Sequence, residues 1–151
     1  MEQERGQVQR FGSKLAEWRD MPHFEVDWDR RALGAAVEGR AEAWFLAHHG
    51  TSRLIARNFA CKTGEIDLIF ELEGARGREL VFVEVRARQK GGWVTGIESV
   101  TPTKRKRLSR AIARFVAAYR GSARAARVDI LVWQMEGDAG TWTHYPNVRL
   151  D

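Results

Sequence analysis

The sequence predicts an α/β fold in which one mixed β-sheet lies between helices, a three-layer sandwich. Three observations predict it. Two adjacent segments, 64–72 and 80–88, alternate side-chain character with a period of two and flank a Gly-containing turn. Amphipathic helical patterns stand on either side of them, over residues 30–49 and 102–120. A short apolar run, Val128 to Trp133, follows the second helix and has the character of a buried strand.

The elements follow in order. In residues 1–28, Val8, Phe11, Leu15 and Trp18 recur at helical spacing, so a short amphipathic helix is expected in an N-terminal arm. Asp20-Met21-Pro22-His23 interrupts that pattern, because proline disfavours helix at the residue before it. Such an arm is either mobile or docked on this domain or on a second copy. The main domain is expected over 29–151. Asp29 can cap a helix from Arg30 to His49 whose apolar face carries Leu33, Val37, Ala41, Trp44, Phe45 and His48. Gly50 stops it, and Leu54 to Ala60 reads as a strand.

In Gly64 to Leu72 the even positions 66–72 are apolar, and Glu65, Asp67 and Glu71 share the other face with Ile69. After a turn over Glu73 to Arg78, Leu80 to Arg88 puts Val81, Val83, Val85 and Ala87 on one face and Phe82, Glu84, Arg86 and Arg88 on the other. A hairpin of these strands brings the Asp67 and Glu84 carboxylates within a few ångströms of each other, and we expect them to face the first helix. Gln89 to Val100 is Gly-rich and reads as a mobile loop. Thr101-Pro102 starts the second helix, Leu108, Ala111, Ile112, Phe115, Val116 and Tyr119 form its apolar face, and Gly121 ends it. Thr141 to His144 can add an edge strand. Trp44 and Trp133 are expected in the core.

Charge and composition narrow the function. The 151 residues carry 25 Lys and Arg against 20 Asp and Glu, a net charge of +5, which favours a polyanionic partner. The single Cys61 excludes an intramolecular disulfide and a Cys-rich zinc module. No apolar run approaches the roughly 20 residues that span a bilayer, and Met1 to Arg10 lacks a signal-peptide core. The expectation is a cytoplasmic protein without a membrane partner. The four histidines have no metal-binding spacing, and neither Ser99 nor Cys61 has a base partner in the sequence, which disfavours nucleophilic catalysis.

Two constellations carry chemistry. The first is Asp67 with Glu84-Val85-Arg86. Two carboxylates on adjacent strands repel unless a cation lies between them, and hard oxygen ligands suit Mg²⁺ or Mn²⁺. Such an ion polarises a phosphodiester and activates water. A cation two residues after Glu84 shares its face and can meet the phosphate. The same spacing also describes a solvated strand face with cross-strand ion pairs. The second constellation is basic. Between Lys104 and Arg127 stand nine Lys and Arg and no acid. Cations in the first turn of a helix oppose its dipole, and a bound phosphate reverses that cost. Lys104 lies in that turn, and Lys106, Arg107, Arg110 and Arg114 cluster opposite Leu108 and Ile112, as a nucleic-acid backbone would require. Trp93, in the intervening loop, could stack on a base or cover the core.

The acid, then acid-x-cation pattern resembles the PD-(D/E)xK nuclease core of restriction enzymes and Holliday-junction resolvases. More closely, the chain resembles the YraN-like bacterial family, whose hallmark is a Gly-Glu-Ile-Asp-Leu strand. Matching pieces occur in order from about residue 31 to 133: Gly34, Glu38, Ala41 and Trp44-Phe45; Ala56-Arg57-Asn58; Gly64 to Ile69; Val81 to Arg86; Gly91-Gly92; Ser99-Val100-Thr101 with Lys104; and Arg127 to Ile130. The resemblance implies a restriction-endonuclease-like sandwich and a Mg²⁺- or Mn²⁺-dependent site. Asp67 and Glu84 fall on the metal-binding acids, Val85 on the residue whose carbonyl can join them, and Arg86 where the nuclease motif has Lys. Glu38 falls on a first-helix Glu that reaches the metal or its water, with Glu42, one turn on, as its rival. Arginine binds phosphate but effectively cannot act as a base. The resemblance implies no particular substrate; the leading expectation is a metal-dependent endonuclease that hydrolyses DNA, with branched DNA as a candidate substrate. The alternatives are a non-catalytic nucleic-acid-binding module of the same fold and a scaffold whose acids close an ion-pair network. Paired cuts in a junction would require a homodimer.

Overall fold

The computed structural model describes residues 4–5, 9–10, 26–89, 98, 100–137 and 139–151. Two short strands, β1 (Glu4–Arg5) and β2 (Gln9–Arg10), precede a long helix, α1 (Val26–His48). An antiparallel meander follows: β3 (Ser52–Cys61), β4 (Gly64–Gly74) and β5 (Gly77–Gln89). Helix α2 (Pro102–Ala118) then leads to β6 (Ala125–Glu136), parallel to β5, and to β7 (Ala139–Tyr145), antiparallel to β6. The sheet order is β1-β7-β6-β5-β4-β3, and β2 also pairs with β7. The three-layer α/β sandwich around a mixed sheet expected from the sequence is the architecture observed.

The two faces of the sheet can be read from β5. Val81 and Val83 pack with Val37, Ala41, Trp44 and Phe45 of α1, whereas Leu80 and Phe82 pack with Leu108 and Ala111 of α2. Both faces are dry, so β4 and β5 are near-continuously buried in their middles. Trp44, Trp133 and Trp142 are all core residues. The helix starts and stops follow local chemistry. Thr101 caps α2, its hydroxyl accepting the Lys104 N–H at 3.2 Å, and Pro102 takes the first helical position. The β4–β5 turn closes between Gly74 and Gly77, with Gly77 at φ 103°, a conformation open to glycine.

Four expectations are corrected. Helix α1 begins at Val26, so Asp29 lies within it rather than capping it. Gln9 and Arg10 are extended against β7, so the helix expected through Val8 to Trp18 does not include them; the remainder of that segment, like Trp93 and Ser99, lies outside the described residues. Helix α2 ends at Ala118 rather than at Gly121, because Tyr119 turns to extended backbone and its hydroxyl is held by Glu71. Finally, Ile66 packs in the α2-side cluster while Leu68, Phe70 and Leu72 pack on the α1 side. The regular alternation expected over 66–72 therefore breaks around Asp67.

Candidate active site

That break is where the sheet forks. The β4–β5 ladder runs from the turn to Leu68 opposite Val83 and stops. One step further, in the same register, Asp67 would face Glu84. Instead of a backbone carbonyl, the Asp67 carboxylate accepts the Val85 N–H, at 2.8 Å. A side chain thus takes the place of a ladder bond, and Asp67 is locked between the diverging strands. Glu84 is 1% exposed and shares a hydrogen bond with Asp67.

The sequence expectation that the two acids meet is realised; Asp67 lies within reach of Glu38 on α1, as expected, but Glu84 faces the other helix. Glu84 follows Phe82 in alternation and therefore points toward α2. The reason is that α1 covers the uninterrupted Val81-Val83-Val85 face, leaving the acid-bearing face to the shorter helix. Lys104, in the first turn of α2, brings its Nζ to 2.6 Å from Glu84 Oε1, while Arg86 Nη1 stands 3.8 Å from the same atom. The Lys104 ammonium is off the hydrogen-bonding direction, and Glu84 Oε1 is buried without a hydrogen bond.

Glu38 reaches the cluster from α1. Burial, then the charges of Asp67 and Glu65, push its carboxyl up to about 7, against a hydrogen bond from Asn58 and the charge of Lys104. Asp67 is likewise raised well above the usual carboxylate range, first by burial and then by Glu84, despite the Val85 N–H. Glu42 is placed elsewhere: Arg57 holds it in a two-pronged ion pair, Nε to Oε2 at 2.6 Å and Nη2 to Oε1 at 2.7 Å. Asn58 escaped the sequence reading of the site. It sits on β3 at φ 50°, a left-handed conformation that Asn tolerates better than most residues, and this kink aims its amide at Glu38. The Asn in Ala56-Arg57-Asn58 was the available signal.

Beside the acids lies a cavity of about 440 Å³, lined by Gly64, Glu65, Thr101, Thr103, Lys104 and Arg107 among others. Its wall depends on Gly64. A Cβ there would stand 2.3 Å from the Arg107 carbonyl oxygen, so the tip of the β3–β4 hairpin meets the α2 backbone with no side chain between them. Further along α2, Lys106, Arg107, Arg110 and Arg114 are exposed, opposite the buried Leu108 and Ala111. None of the four forms an ion pair with a described residue.

Among the described residues, no three carboxylate, imidazole or thiol groups make a ready-made metal cage. The donor chemistry nevertheless suits a hard divalent ion. Burial and the charge of Glu84 raise the proton affinity of Asp67, and Glu84 Oε1 is buried without a hydrogen bond, so the pair offers oxygen donors that a divalent ion would answer.

Fold and site together define an α/β sandwich with an acidic fork at the edge of a basic helix. Comparison with known proteins gives the family. A family model described as uncharacterised protein family UPF0102 matches residues 37–132, and the chain belongs to that family, the one its YraN-like motifs resemble. A UPF0102 protein of Ralstonia nicotianae is 44% identical over 106 residues, 66% of this chain and 75% of the relative. Another, from Moorella thermoacetica, is 39% identical over 105 residues, 69% of this chain and 82% of the relative. A third, from Geobacter metallireducens, is 30% identical over 117 residues, 78% and 91% of the two chains. No described helix is long and apolar enough to cross a membrane.

Proposed function

We propose that the protein is a metal-dependent phosphodiesterase that cuts DNA, with branched DNA as the substrate to test first. The observation that carries this reading is the fork: a strand pairing abandoned so that Asp67 can stand beside Glu84, with Glu38 behind them. Burial and neighbouring carboxylates raise the proton affinities of Asp67 and Glu38, an arrangement that does not favour stability and that a bound cation would relieve. Asp67, Glu84 and the Val85 carbonyl would hold Mg²⁺ or Mn²⁺. When bound, the ion neutralises phosphate charge and makes water a better nucleophile. Glu38, which takes a hydrogen bond from Asn58 and feels the charge of Asp67, would orient that water and accept its proton. Arg107, Lys106, Arg110 and Arg114 present exposed charge for the phosphate backbone on the helix adjoining the acids.

A second reading, a binding module that has lost its chemistry, is favoured by one observation: the Lys104 ammonium already answers part of the charge of Glu84. Cleavage separates the two readings. Purified protein with Mn²⁺ is expected to nick branched or flapped DNA, and Asp67→Asn is expected to stop the nicking while leaving DNA binding in place. Absence of nicking on every DNA structure, with salt-sensitive binding retained, selects the binding module.

A further inference from the structure

We infer that Lys104, rather than Arg86, is the cation that meets the scissile phosphate beside Asp67 and Glu84. The inference rests on the phosphodiesterase reading above. Arg86 occupies the motif position, but its Nη1 is 3.8 Å from Glu84 Oε1; the Lys104 ammonium, from a different element, makes the much closer ion pair, at 2.6 Å. Lys104 also has the right two-sidedness. Its side chain is 35% exposed where Glu84 is 1% exposed, and it lines the 440 Å³ cavity with Thr101, Thr103 and Arg107. One end of its reach is therefore the acid pair and the other is open space where a phosphate can enter.

The approach is built, not incidental. Thr101 caps the turn that carries Lys104, and Arg105 ties the same turn down by donating to the Val100 and Arg149 carbonyls at 3.0 and 3.3 Å. Gly64 lets the hairpin tip touch the helix backbone at Arg107. These contacts hold α2 close enough for a lysine stem to span from helix to strand.

An ammonium has three donors, so it can stay near Glu84 while donating to a non-bridging phosphate oxygen. In the hydrolysis, the water oxygen forms a new bond to phosphorus and the ester P–O bond breaks with its electron pair. The water gives up one proton to the Glu38 carboxylate, and the leaving oxygen gains one from solvent. Lys104 transfers no proton; it stabilises charge on the equatorial oxygens.

The test uses the full chain with Mn²⁺ as the probe metal and a branched DNA oligonucleotide. Lys104→Met is expected to lower kcat by about 100-fold with KM little changed, as removal of one transition-state donor does. Because an ammonium competing for Glu84 is removed, the same variant is expected to bind Mn²⁺ about threefold or more tightly in titration calorimetry. Lys104→Arg, which keeps the charge and guards against a folding defect in the Met variant, is expected to recover about tenfold of the loss. Arg86→Met is expected to act mainly on KM. A kcat loss in Arg86→Met equal to or larger than that in Lys104→Met or, should that variant not fold, in Lys104→Arg, overturns the inference and leaves the phosphodiesterase reading standing. So does unchanged or weakened Mn²⁺ binding in a folded Lys104→Met. A parent protein that neither cleaves DNA nor binds Mn²⁺ overturns both.

Discussion

Strand β4 carries two buried acids four residues apart, Asp67 and Glu71, and their surroundings are opposite. Glu71 is 3% exposed and fully answered: the Tyr119 hydroxyl donates to Oε2 at 2.6 Å, and Arg53 and Arg78 reach Oε1 at 3.3 Å. Its proton affinity is lowered, first by the Tyr119 hydrogen bond and also by Arg53 and Arg78, against the cost of burial. Asp67 has Glu84 and Glu38 for neighbours, and its proton affinity is raised. A third buried acid, Asp129, belongs with Glu71. Burial pushes it up, but His144 at 2.8 Å, Arg127 at 3.1 Å and the Asn147 N–H at 3.0 Å outweigh that, and it ends below its ordinary value. Burial alone thus says little about what an acid is for. Its partners do: a satisfied carboxylate is part of the scaffold, and a frustrated one awaits a ligand.

Substituting the acids one by one tests that distinction most severely. Asp67→Asn and Glu84→Gln are expected to abolish Mn²⁺-dependent cleavage, and in Asp67→Asn the metal-free melting temperature is expected to hold or rise, since repulsion by Glu84 is relieved. Glu71→Gln is expected to do the reverse, keeping cleavage and lowering stability by about 2 kcal/mol as charge-assisted bonds disappear. If the two strand positions respond alike in cleavage and melting assays, the contrast between them is broken. Gly64→Ala comes next. Its Cβ meets a backbone carbonyl that cannot swing aside, so helix and hairpin must part, at a cost of about 1–3 kcal/mol in denaturant unfolding and with reduced cleavage.

Stability against pH sharpens the same contrast. Glu38 and Asp67 bind protons more tightly in the folded chain than in the unfolded chain, so their contribution is complete at low pH and is lost as pH rises through about 7. Glu71 and Asp129 are shifted the other way, and their contribution is lost as pH falls through the acid range. Melting curves without metal are expected to show a decline between pH 5 and about 8 that Asp67→Asn diminishes and Mn²⁺ offsets. A decline of the same size in Asp67→Asn would place its origin elsewhere. On the outer face of α2, changing Lys106, Arg107, Arg110 and Arg114 to Ala together is expected to flatten the salt dependence of DNA binding. The slope should fall by about 0.9 for each phosphate no longer neutralised, with little change in melting temperature. The smallest effect is expected at Glu42: Glu42→Gln breaks the pair with the exposed Arg57 and is expected to leave the unfolding midpoint little changed, with cleavage retained.

The sandwich was legible because period-two alternation holds along β5 and over Leu68 to Leu72 of β4, and because Thr101-Pro102 and Gly50 mark helix ends through backbone chemistry. The meeting of Asp67 and Glu84 was legible for the same reason, as opposite positions in one hairpin. Which helix covers which face was not. Both faces of this sheet are apolar, so alternation separates the faces without saying what lies over each. Lys104 falls among the backbone-binding cations when a charge run is read along one helix, whereas its contact crosses from helix to strand. Asn58 escapes such a reading because a left-handed residue inside a strand leaves no periodic trace. The partnership of Tyr119 with Glu71 is likewise a long-range contact between elements.

The parallel pairing of β5 with β6 has a consequence for the order of assembly. Strands β3, β4 and β5 pair through short turns, so their contacts are local and close early, whereas β6 can dock only after the chain has crossed through α2. Asp67 and Glu84 both belong to the early unit; Lys104 arrives with the late one. During folding the two carboxylates therefore face each other before any lysine reaches them. Dissolved divalent ions could then shorten the refolding time itself, an effect that stopped-flow refolding with and without Mg²⁺ would show as a change in rate rather than in final stability.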